Sequence, residues 1–492
     1  MLAGLPESVK ALAKQNAEHD NLEGWLLTLD FPCYLPVQNY ADNRDLRHEM
    51  YVAYMTRASE NGPHAGQWDN SAIMSEIMAL RLELATLLCF ANYAEYSLAT
   101  KMADTPQQVL DFLVNLANQT KPYAAQELEE LTAFAKAHYG VDSLEMWDVP
   151  YYSEKLREHR YNISQESLRP YFPLPKVLAG LFRVVQRLYG LSIKRHNSVD
   201  IWHPDVQFFD VYAESGELRG QFFLDCFARK GKRGGAWMDD CLSRHRTAQG
   251  LQTPVAYLTC NFTPPVGDKP SLLTHQEVTT LFHEFGHGLH HILTTIDYVP
   301  VSGVNGVAWD AVELPSQFME NWCWEREALD LFAAHYETDE ALPDELFQKM
   351  QAAKNFQASL FMMRQLEFGL FDFRLHTEYA LGMNIQALLD DVRQQITVLF
   401  PPNFVRFQNG FSHIFAGGYA AGYYSYKWAE VLSADAFSKF EENGIFDRAT
   451  GQQFLQSILE KGGSKPPMDL FIKFRGREPK IDALLKHSGI AV

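Results

Sequence analysis

The chain has 492 residues, 47% of them hydrophobic and 13% aromatic, and its formal net charge at pH 7 is −18. This length exceeds what one simple core usually holds, so we expect two lobes or domains. The acidic balance argues against nucleic acid and anionic membranes as partners. The sequence contains no run of 18 apolar residues and no N-terminal apolar segment, so we expect neither a membrane span nor a signal peptide.

Amphipathic patterns predict helices over most of the chain, including residues 70–102, 107–117, 124–138 and 176–189, and again from 314 to 485. Residues 206–212 and 218–227 predict a β-hairpin around Ser215-Gly216. Residues 254–262 predict another strand, either purely structural or an edge strand that could pair with an extended peptide. Residues 234–240 are predicted to form a loop.

The next predicted element carries the pattern His-Glu-x-x-His, with His283, Glu284 and His287. On a helix, positions four apart share a face, so both imidazoles can bind one metal ion. Glu284 lies beside the first ligand, where it can act as a general base. Thr274 and Glu277 form a capping box that predicts the start of this helix. The pattern therefore indicates a zinc-dependent peptide hydrolase rather than two ordinary polar histidines.

The surroundings of the motif predict how this helix packs. Its apolar residues fall within an arc of roughly 120°, and the two histidines lie on the opposite side. Gly286 and Gly288 flank the metal face, where we expect them to leave space for a substrate. The apolar positions are Val278, Leu281, Phe282, Phe285, Leu289, Ile292 and Leu293.

A catalytic zinc ion usually has three protein ligands and one open position. His290 lies roughly 10 Å along the helix from His283, which is too far for both to reach one ion. Glu313 is the better candidate, because the Gly-rich loop at 302–306 lets the chain turn back. The alternative is that Asp310 and Glu313 form a helix cap. If Glu313 is a ligand, Asp310 could fix the tautomer of a ligand imidazole, although an N-cap role is also open.

A tyrosine-rich stretch follows Gly417-Gly418. Tyr419, Tyr423 and Tyr426 are spaced four and three apart and form one stripe if a helix follows the glycines, whereas Tyr424 points elsewhere. Peptide hydrolysis places negative charge on the carbonyl oxygen, and a phenolic O–H is a suitable donor to it. The alternative is an aromatic stripe in the core.

These stretches, together with 474–479, closely resemble the thimet-oligopeptidase family of zinc metallopeptidases. The resemblance implies a mainly α-helical fold of two lobes around a deep substrate channel, with a small β-sheet next to the metal helix. It implies His283, His287 and Glu313 as ligands of one zinc ion and Glu284 as general base. It also implies Tyr426 and His413, with Tyr419 or Tyr423, around a short peptide substrate.

The resemblance leaves the exact activity open. The family includes dipeptidyl carboxypeptidases, but the Val312–Gln317 run and the tyrosine-rich loop look more like its endopeptidase branch. An inactive peptide-binding form is a further alternative. The first residues resemble the interior of family members, so we expect residues 1–34 to be the remnant of an N-terminal helical segment. Residues 35–490 would then form the peptidase region, with the site on helices 275–295 and 310–325.

We expect the protein to be a cytoplasmic monomer. Its large size and the absence of a Cys-x-x-Cys pair predict reduced thiols without a disulfide framework. The cysteines are Cys33, Cys89, Cys226, Cys241, Cys260 and Cys323.

Overall fold

Helices form most of the structure, a computed structural model that describes residues 1–489. The helices before the first strand are α1 (Glu7–His19), α2 (Phe31–Tyr40), α3 (Arg44–Met55), α4 (Ser71–Leu87), α5 (Tyr93–Leu98), α6 (Pro106–Tyr139), α7 (Val149–Tyr161), α8 (Gln165–Leu168) and α9 (Leu174–Tyr189). None of the helices within 1–489 combines the length and the apolar composition needed to cross a bilayer.

The strands follow α9 as β1 (Ser192–Arg195), β2 (Gln207–Tyr212), β3 (Leu218–Phe227), β4 (Trp237–Leu242), β5 (His245–Thr247), β6 (Gly250–Gln252) and β7 (Val255–Phe262). Five of them form a sheet in the order β1-β2-β3-β7-β4, while β5 and β6 pair separately. The predicted hairpin is confirmed as the antiparallel pair β2–β3.

The prediction that residues 254–262 could be an edge strand is wrong. β7 runs parallel to β3 on one side and antiparallel to β4 on the other. The edge is β4, part of which we predicted as a loop because of Gly234 and Gly235. Its exposed Asp239 and Asp240 resemble the charged residues that commonly protect sheet edges.

The helices after the sheet begin with α10, which carries the His-Glu-x-x-His pattern. They are α10 (His275–Ile292), α11 (Trp309–Val312), α12 (Leu314–Glu320), α13 (Arg326–Leu329), α14 (Asp344–Ala352), α15 (Ala358–Glu378), α16 (Ile385–Ile396), α17 (Ser412–Phe415), α18 (Ser425–Asn443), α19 (Arg448–Phe454), α20 (Pro467–Arg475) and α21 (Asp482–His487).

Two main cores organise these elements. The larger one packs the sheet against α9 and α10 and extends to α12 and α18, through side chains such as Leu181, Phe222, Phe285 and Phe318. The second joins α5, α6, α15 and α16 and includes Leu113 and Leu370. The predicted fold class is confirmed: the protein is mainly helical, with a small sheet beside the metal-motif helix.

The orientation of α4 differs from the expectation for a buried amphipathic stripe. Met74 and Met78 are buried in a smaller core. Leu80, Leu84 and Leu87 are exposed, with 56%, 41% and 73% of their surfaces accessible. The sequence pattern indicated one apolar face, but α4 is apolar nearly all round, so the packing partners decide which face is buried.

The segment after α20 is tied to α18 through a buried carboxylate. Asp435, only 1% exposed, accepts hydrogen bonds from Arg477 at 2.5 and 2.6 Å, from Arg475 Nε at 3.1 Å and from the backbone N–H of Lys480 at 2.7 Å. Buried charges that lose their partners are costly, so this cluster stabilises the C-terminal side of the larger core.

The substitution Asp435→Asn is expected to lower the free energy of unfolding by about 3 kcal/mol, because two arginines lose the charge that they surround. Chemical denaturation monitored by circular dichroism measures this change. Glu478→Gln, at an exposed position of the same segment, serves as the control. Equal stability of the two variants would contradict the structural role of Asp435.

Candidate metal centre

The local sequence determines where α10 begins and which face it buries. The Thr274 hydroxyl accepts from the backbone N–H of Glu277, and the Glu277 carboxylate accepts from the backbone N–H of Thr274. This confirms the predicted capping box. The apolar positions from Val278 to Leu293 that we predicted as the core face are all buried.

His283 and His287 lie on the opposite side of α10 and are partly exposed, with 19% and 12% of their side-chain surfaces accessible. Glu284 is 4% exposed. His290 is 3% exposed, and burial lowers its pKa to about 3. Its position in the interior agrees with its rejection as the third ligand.

Glu313 lies at a break between two helices. We expected one helix over 310–325, but α11 ends at Val312 and α12 begins at Leu314. Pro315 explains the break, because it has no N–H group and its ring would clash with the carbonyl of Ala311 in a continuous helix. A short 3₁₀ segment (Asn321–Trp324) follows α12. The break leaves the Glu313 side chain buried, with 1% of its surface accessible.

Gly286 allows α12 to approach α10 closely. A Cβ atom at this position would lie 2.5 Å from the Pro315 carbonyl oxygen and 2.6 Å from the Ser316 Cα. A Cβ atom on Gly288 would instead meet the side chain of Leu258 in β7 at 3.1 Å. We predicted that these glycines leave room for a substrate, but the structure shows that they leave room for neighbouring elements.

The close approach brings three candidate ligands together. Glu313 Oε2 lies 3.1 Å from His283 Nε2 and 3.0 Å from His287 Nε2. One ligand atom from each of these residues lies within 4.8 Å of the other two. Two imidazole nitrogens and a carboxylate oxygen are a donor set that suits zinc. The residues present therefore fit a metal ion of this class.

The electrostatics of the cluster also favour a bound cation. Burial opposes charge on His283, but hydrogen bonds to Glu313 and Glu320 outweigh it and raise its pKa well above the usual value. Burial likewise opposes the charge on Glu313, but the neighbouring histidines hold its pKa well below the usual value. Burial raises the pKa of Glu284, and its Oε2 has no hydrogen-bond partner within the described residues.

Glu320 orients the first histidine, a role for which the sequence suggested Asp310. Its Oε1 lies 2.6 Å from His283 Nδ1. Asp310 accepts from the backbone N–H groups of Met102 and Ala103 and from the Tyr424 hydroxyl, at 2.8–3.0 Å. Both oxygens of Asp310 are thus engaged away from the histidines, so the structure contradicts both the tautomer role and the N-cap role. The only sequence signal for Glu320 is its position two turns after Glu313.

The tyrosine-rich loop is held by a buried aspartate that sequence reasoning missed. Asp372 in α15 accepts from the backbone N–H groups of Ala421, Gly422 and Tyr423 at 2.8–3.0 Å. We expected a helix directly after the two glycines, but α18 begins only at Ser425. Tyr419 and Tyr423 therefore lie in a loop, and Asp372 determines the shape of that loop.

The predicted aromatic residues nevertheless come together next to Glu313. The Tyr419 hydroxyl donates to Glu313 Oε1, and its ring stacks on that of Tyr426 with centroids 4.9 Å apart. The ring of His413 lies 6.4 Å from that of Tyr426. Tyr423 is close to Tyr426 at 5.0 Å, but its hydroxyl donates to Gln365. Burial and the charge of Glu313 raise the pKa of Tyr426 well above the usual value, so its phenol keeps its proton.

Comparison with known proteins identifies the group to which this site belongs. A family model described as Peptidase family M3 matches residues 37–490. The chain belongs to peptidase family M3. Oligopeptidase A of Escherichia coli is 63% identical over 492 residues, which cover 99% of this chain and 72% of that protein. Oligopeptidase A of Haemophilus influenzae is 58% identical with the same coverage.

More distant relatives agree with this assignment. Dipeptidyl carboxypeptidase of Escherichia coli is 34% identical over 504 residues, covering 100% of this chain and 72% of that protein. The solved structure of PZ peptidase A with an inhibitor superposes with a TM-score of 0.59 at 17% identity, covering 98% of this chain and 73% of the other. This last similarity concerns the fold alone. The M3 peptidase described here is a metallopeptidase of the oligopeptidase type.

In this M3 peptidase, Gly286→Ala is expected to weaken zinc binding at least tenfold, because the new Cβ atom pushes α12 and Glu313 away from α10. Competition with a chromogenic chelator measures the affinity. Gly288→Ala is the matched control, since its Cβ atom meets only the flexible side chain of Leu258. An unchanged affinity of Gly286→Ala would show that the spacing of the two helices does not position Glu313.

Removing the hydrogen bond to His283 tests the role of Glu320. Glu320→Ala is expected to lower zinc affinity about 10- to 100-fold, as is typical when an outer partner of a ligand histidine is lost. The same chelator competition serves as the measurement, with Glu327→Ala at an exposed position as the control. Equal affinities of both variants would rule out the orienting role.

Proposed function

We propose that this chain is a zinc-dependent endopeptidase that cleaves short peptides, with one zinc ion per chain bound by His283, His287 and Glu313. The observation that carries this proposal is the convergence of these three side chains beside a buried Glu284 carboxylate oxygen that has no hydrogen-bond partner in residues 1–489. The identity of 58–63% to proteins named Oligopeptidase A supports the same activity. Residues 35–490 would form the peptidase region.

When bound, zinc supplies a Lewis acid that lowers the pKa of water and polarises the scissile carbonyl group. Glu284 is the proposed general base. It takes a proton from the attacking water and then passes that proton to the leaving amine. Its burial and raised pKa suit a group that must both accept and release a proton.

The aromatic residues beside Glu313 are proposed to bind the substrate. Tyr426 keeps its phenolic proton and donates it in a hydrogen bond to the carbonyl oxygen as negative charge develops there. His413 lies beside it and is a further donor to the substrate, whereas Tyr419, whose hydroxyl donates to Glu313, is proposed to contact the substrate through its ring. Tyr423 is proposed to bind the substrate mainly through its ring, because its hydroxyl already donates to Gln365.

Two alternatives remain for the activity. A dipeptidyl carboxypeptidase, such as the relative that is 34% identical, would need a group that binds the C-terminal carboxylate of the substrate. A non-catalytic peptide-binding form would not need Glu284. We also propose a monomer in the cytoplasm. The name "Probable cytosolic oligopeptidase A" of a relative from Arabidopsis thaliana supports the compartment.

The decisive experiment is hydrolysis of an internally quenched short peptide with both ends blocked. We expect the zinc-loaded protein to cleave it, and we expect Glu284→Gln to reduce kcat by a factor of about 10² to 10⁴. A chelator should abolish cleavage, and added zinc should restore it. Glu345→Gln, an exposed position, is the control for the substitution.

A second peptide of the same sequence, with a free C-terminus, separates the alternatives. Cleavage of only the peptide with a free C-terminus would indicate a dipeptidyl carboxypeptidase. No cleavage of either peptide by the folded, zinc-loaded protein would contradict the peptidase proposal. Unchanged turnover by Glu284→Gln would remove Glu284 from the mechanism.

A further inference from the structure

A large groove lies beside the first half of α10. Its volume is about 860 Å³, within the range of sites that hold sizeable ligands. Its walls come from α2, from α7, from the start of α15 and from the first half of α10. The segment 397–401 after α16 closes one side.

The groove and the metal site are lined by neighbouring turns of α10. Gln276 and Thr280 line the groove. They are four residues apart and share a helix face with His283 and His287. At 1.5 Å per residue, Thr280 is about 4.5 Å and Gln276 about 10 Å from His283 along the axis. An extended peptide rises about 3.3 Å per residue, so the groove begins within a few residues of the scissile bond.

The groove exposes a cluster of apolar side chains, and such clusters are uncommon on the surfaces of soluble proteins. Phe31 and Leu35 of α2 are 53% and 38% exposed, and Phe361 of α15 is 61% exposed. Leu360 and Leu399 contribute further apolar surface to the same walls. A contiguous apolar patch that lines a concavity is typical of a binding site.

The charged side chains in the walls neutralise one another. Arg169 pairs with Glu166 at 2.6 Å, and Arg364 pairs with Glu367 at 2.7 Å. Arg157 pairs with the buried Glu154. The groove is lined by three arginines and four glutamates, and each of these arginines pairs with a glutamate, so the walls carry little excess charge and apolar contact dominates recognition.

Polar atoms in the same walls lack partners. Gln357 Nε2, Gln165 Oε1 and Ser153 Oγ are buried and make no hydrogen bond to any described residue. Leaving buried polar atoms unpaired is costly. Gln357 also has a positive φ of 55°, which is uncommon for a residue with a side chain. After a side-chain rotation, these donors and acceptors could pair with a peptide backbone, which carries both kinds of group.

We propose that this groove binds substrate residues several positions from the scissile bond and that it favours apolar or aromatic side chains there. Three observations support this inference. Neighbouring turns of α10 line the groove and the metal site, the groove exposes apolar side chains, and some of its polar atoms lack partners among the described residues. It rests on the proposed peptidase function and adds to it a determinant of substrate length and composition. The preference comes from residues that take no part in the chemical step.

Binding measurements test the proposal separately from catalysis. Fluorescent blocked peptides are titrated into the zinc-loaded Glu284→Gln protein: a short core peptide, and the core extended at either end by Leu-Phe-Leu or by Ser-Gly-Ser. Extension by Leu-Phe-Leu at one end is expected to tighten binding about tenfold, the gain expected from burying one large apolar side chain. Extension by Ser-Gly-Ser is expected to add much less.

Two further substitutions test whether the gain in peptide affinity arises in the groove. Phe361→Asp is expected to remove most of the tenfold gain. Leu381→Asp, at a position 76% exposed outside the groove walls, is expected to retain it. Circular dichroism of both variants shows whether they fold equally well, and the single substitution Leu35→Ala provides a second, milder perturbation of the groove.

The outcomes distinguish the two proposals. If neither extension tightens binding, or if Phe361→Asp and Leu381→Asp change it equally, the groove does not bind substrate and is covered by something else. If the otherwise unaltered protein cleaves no peptide but the length-dependent gain persists, the peptidase proposal fails and the peptide-binding groove stands.

Discussion

The close contact between α10 and α12 is the constraint on which the rest of the site depends. A buried carboxylate such as Glu313 is costly unless positive charge lies next to it. Gly286 lets the two helices approach until the Glu313 carboxylate faces both histidines, and the break at Pro315 turns its side chain inwards. Glu320 and Tyr419 then hydrogen-bond to the ligand set from two sides.

The parts of the fold and of the site that could be predicted are those determined by neighbouring residues in the sequence. The capping box and the apolar face of α10 were correct, because helix spacing alone determines them. Glu313 was a candidate beside a cap alternative, because its pairing with α10 is a tertiary contact. Glu320 and Asp372 were missed, since a lone acid in a helix has no pattern that reveals its partner. The burial of α4 and the pairing of β4 likewise depend on neighbours that are distant in sequence.

The candidate site draws on more than one core, since Tyr423 and Tyr426 pack in or against the smaller core that buries Met74 and Met78. The metal-binding residues belong to elements of the larger core, which contains the sheet. Asp372, on α15, holds the tyrosine-rich loop, and Tyr424 of that loop packs in the second core. The candidate metal centre and the tyrosines proposed to bind the substrate are thus positioned by different sets of packed side chains. The hydrogen bond from Tyr419 to Glu313 is a direct link between the two.

This arrangement has a consequence for the protein during its synthesis. The side chains of the site are spread from His283 to Tyr426, and Asp435 joins α18 to residues as late as Lys480. A chain that is still on the ribosome can fold its early helices and the sheet, but it lacks the tyrosine-rich loop. The candidate site is therefore complete only after Tyr426 has left the ribosome.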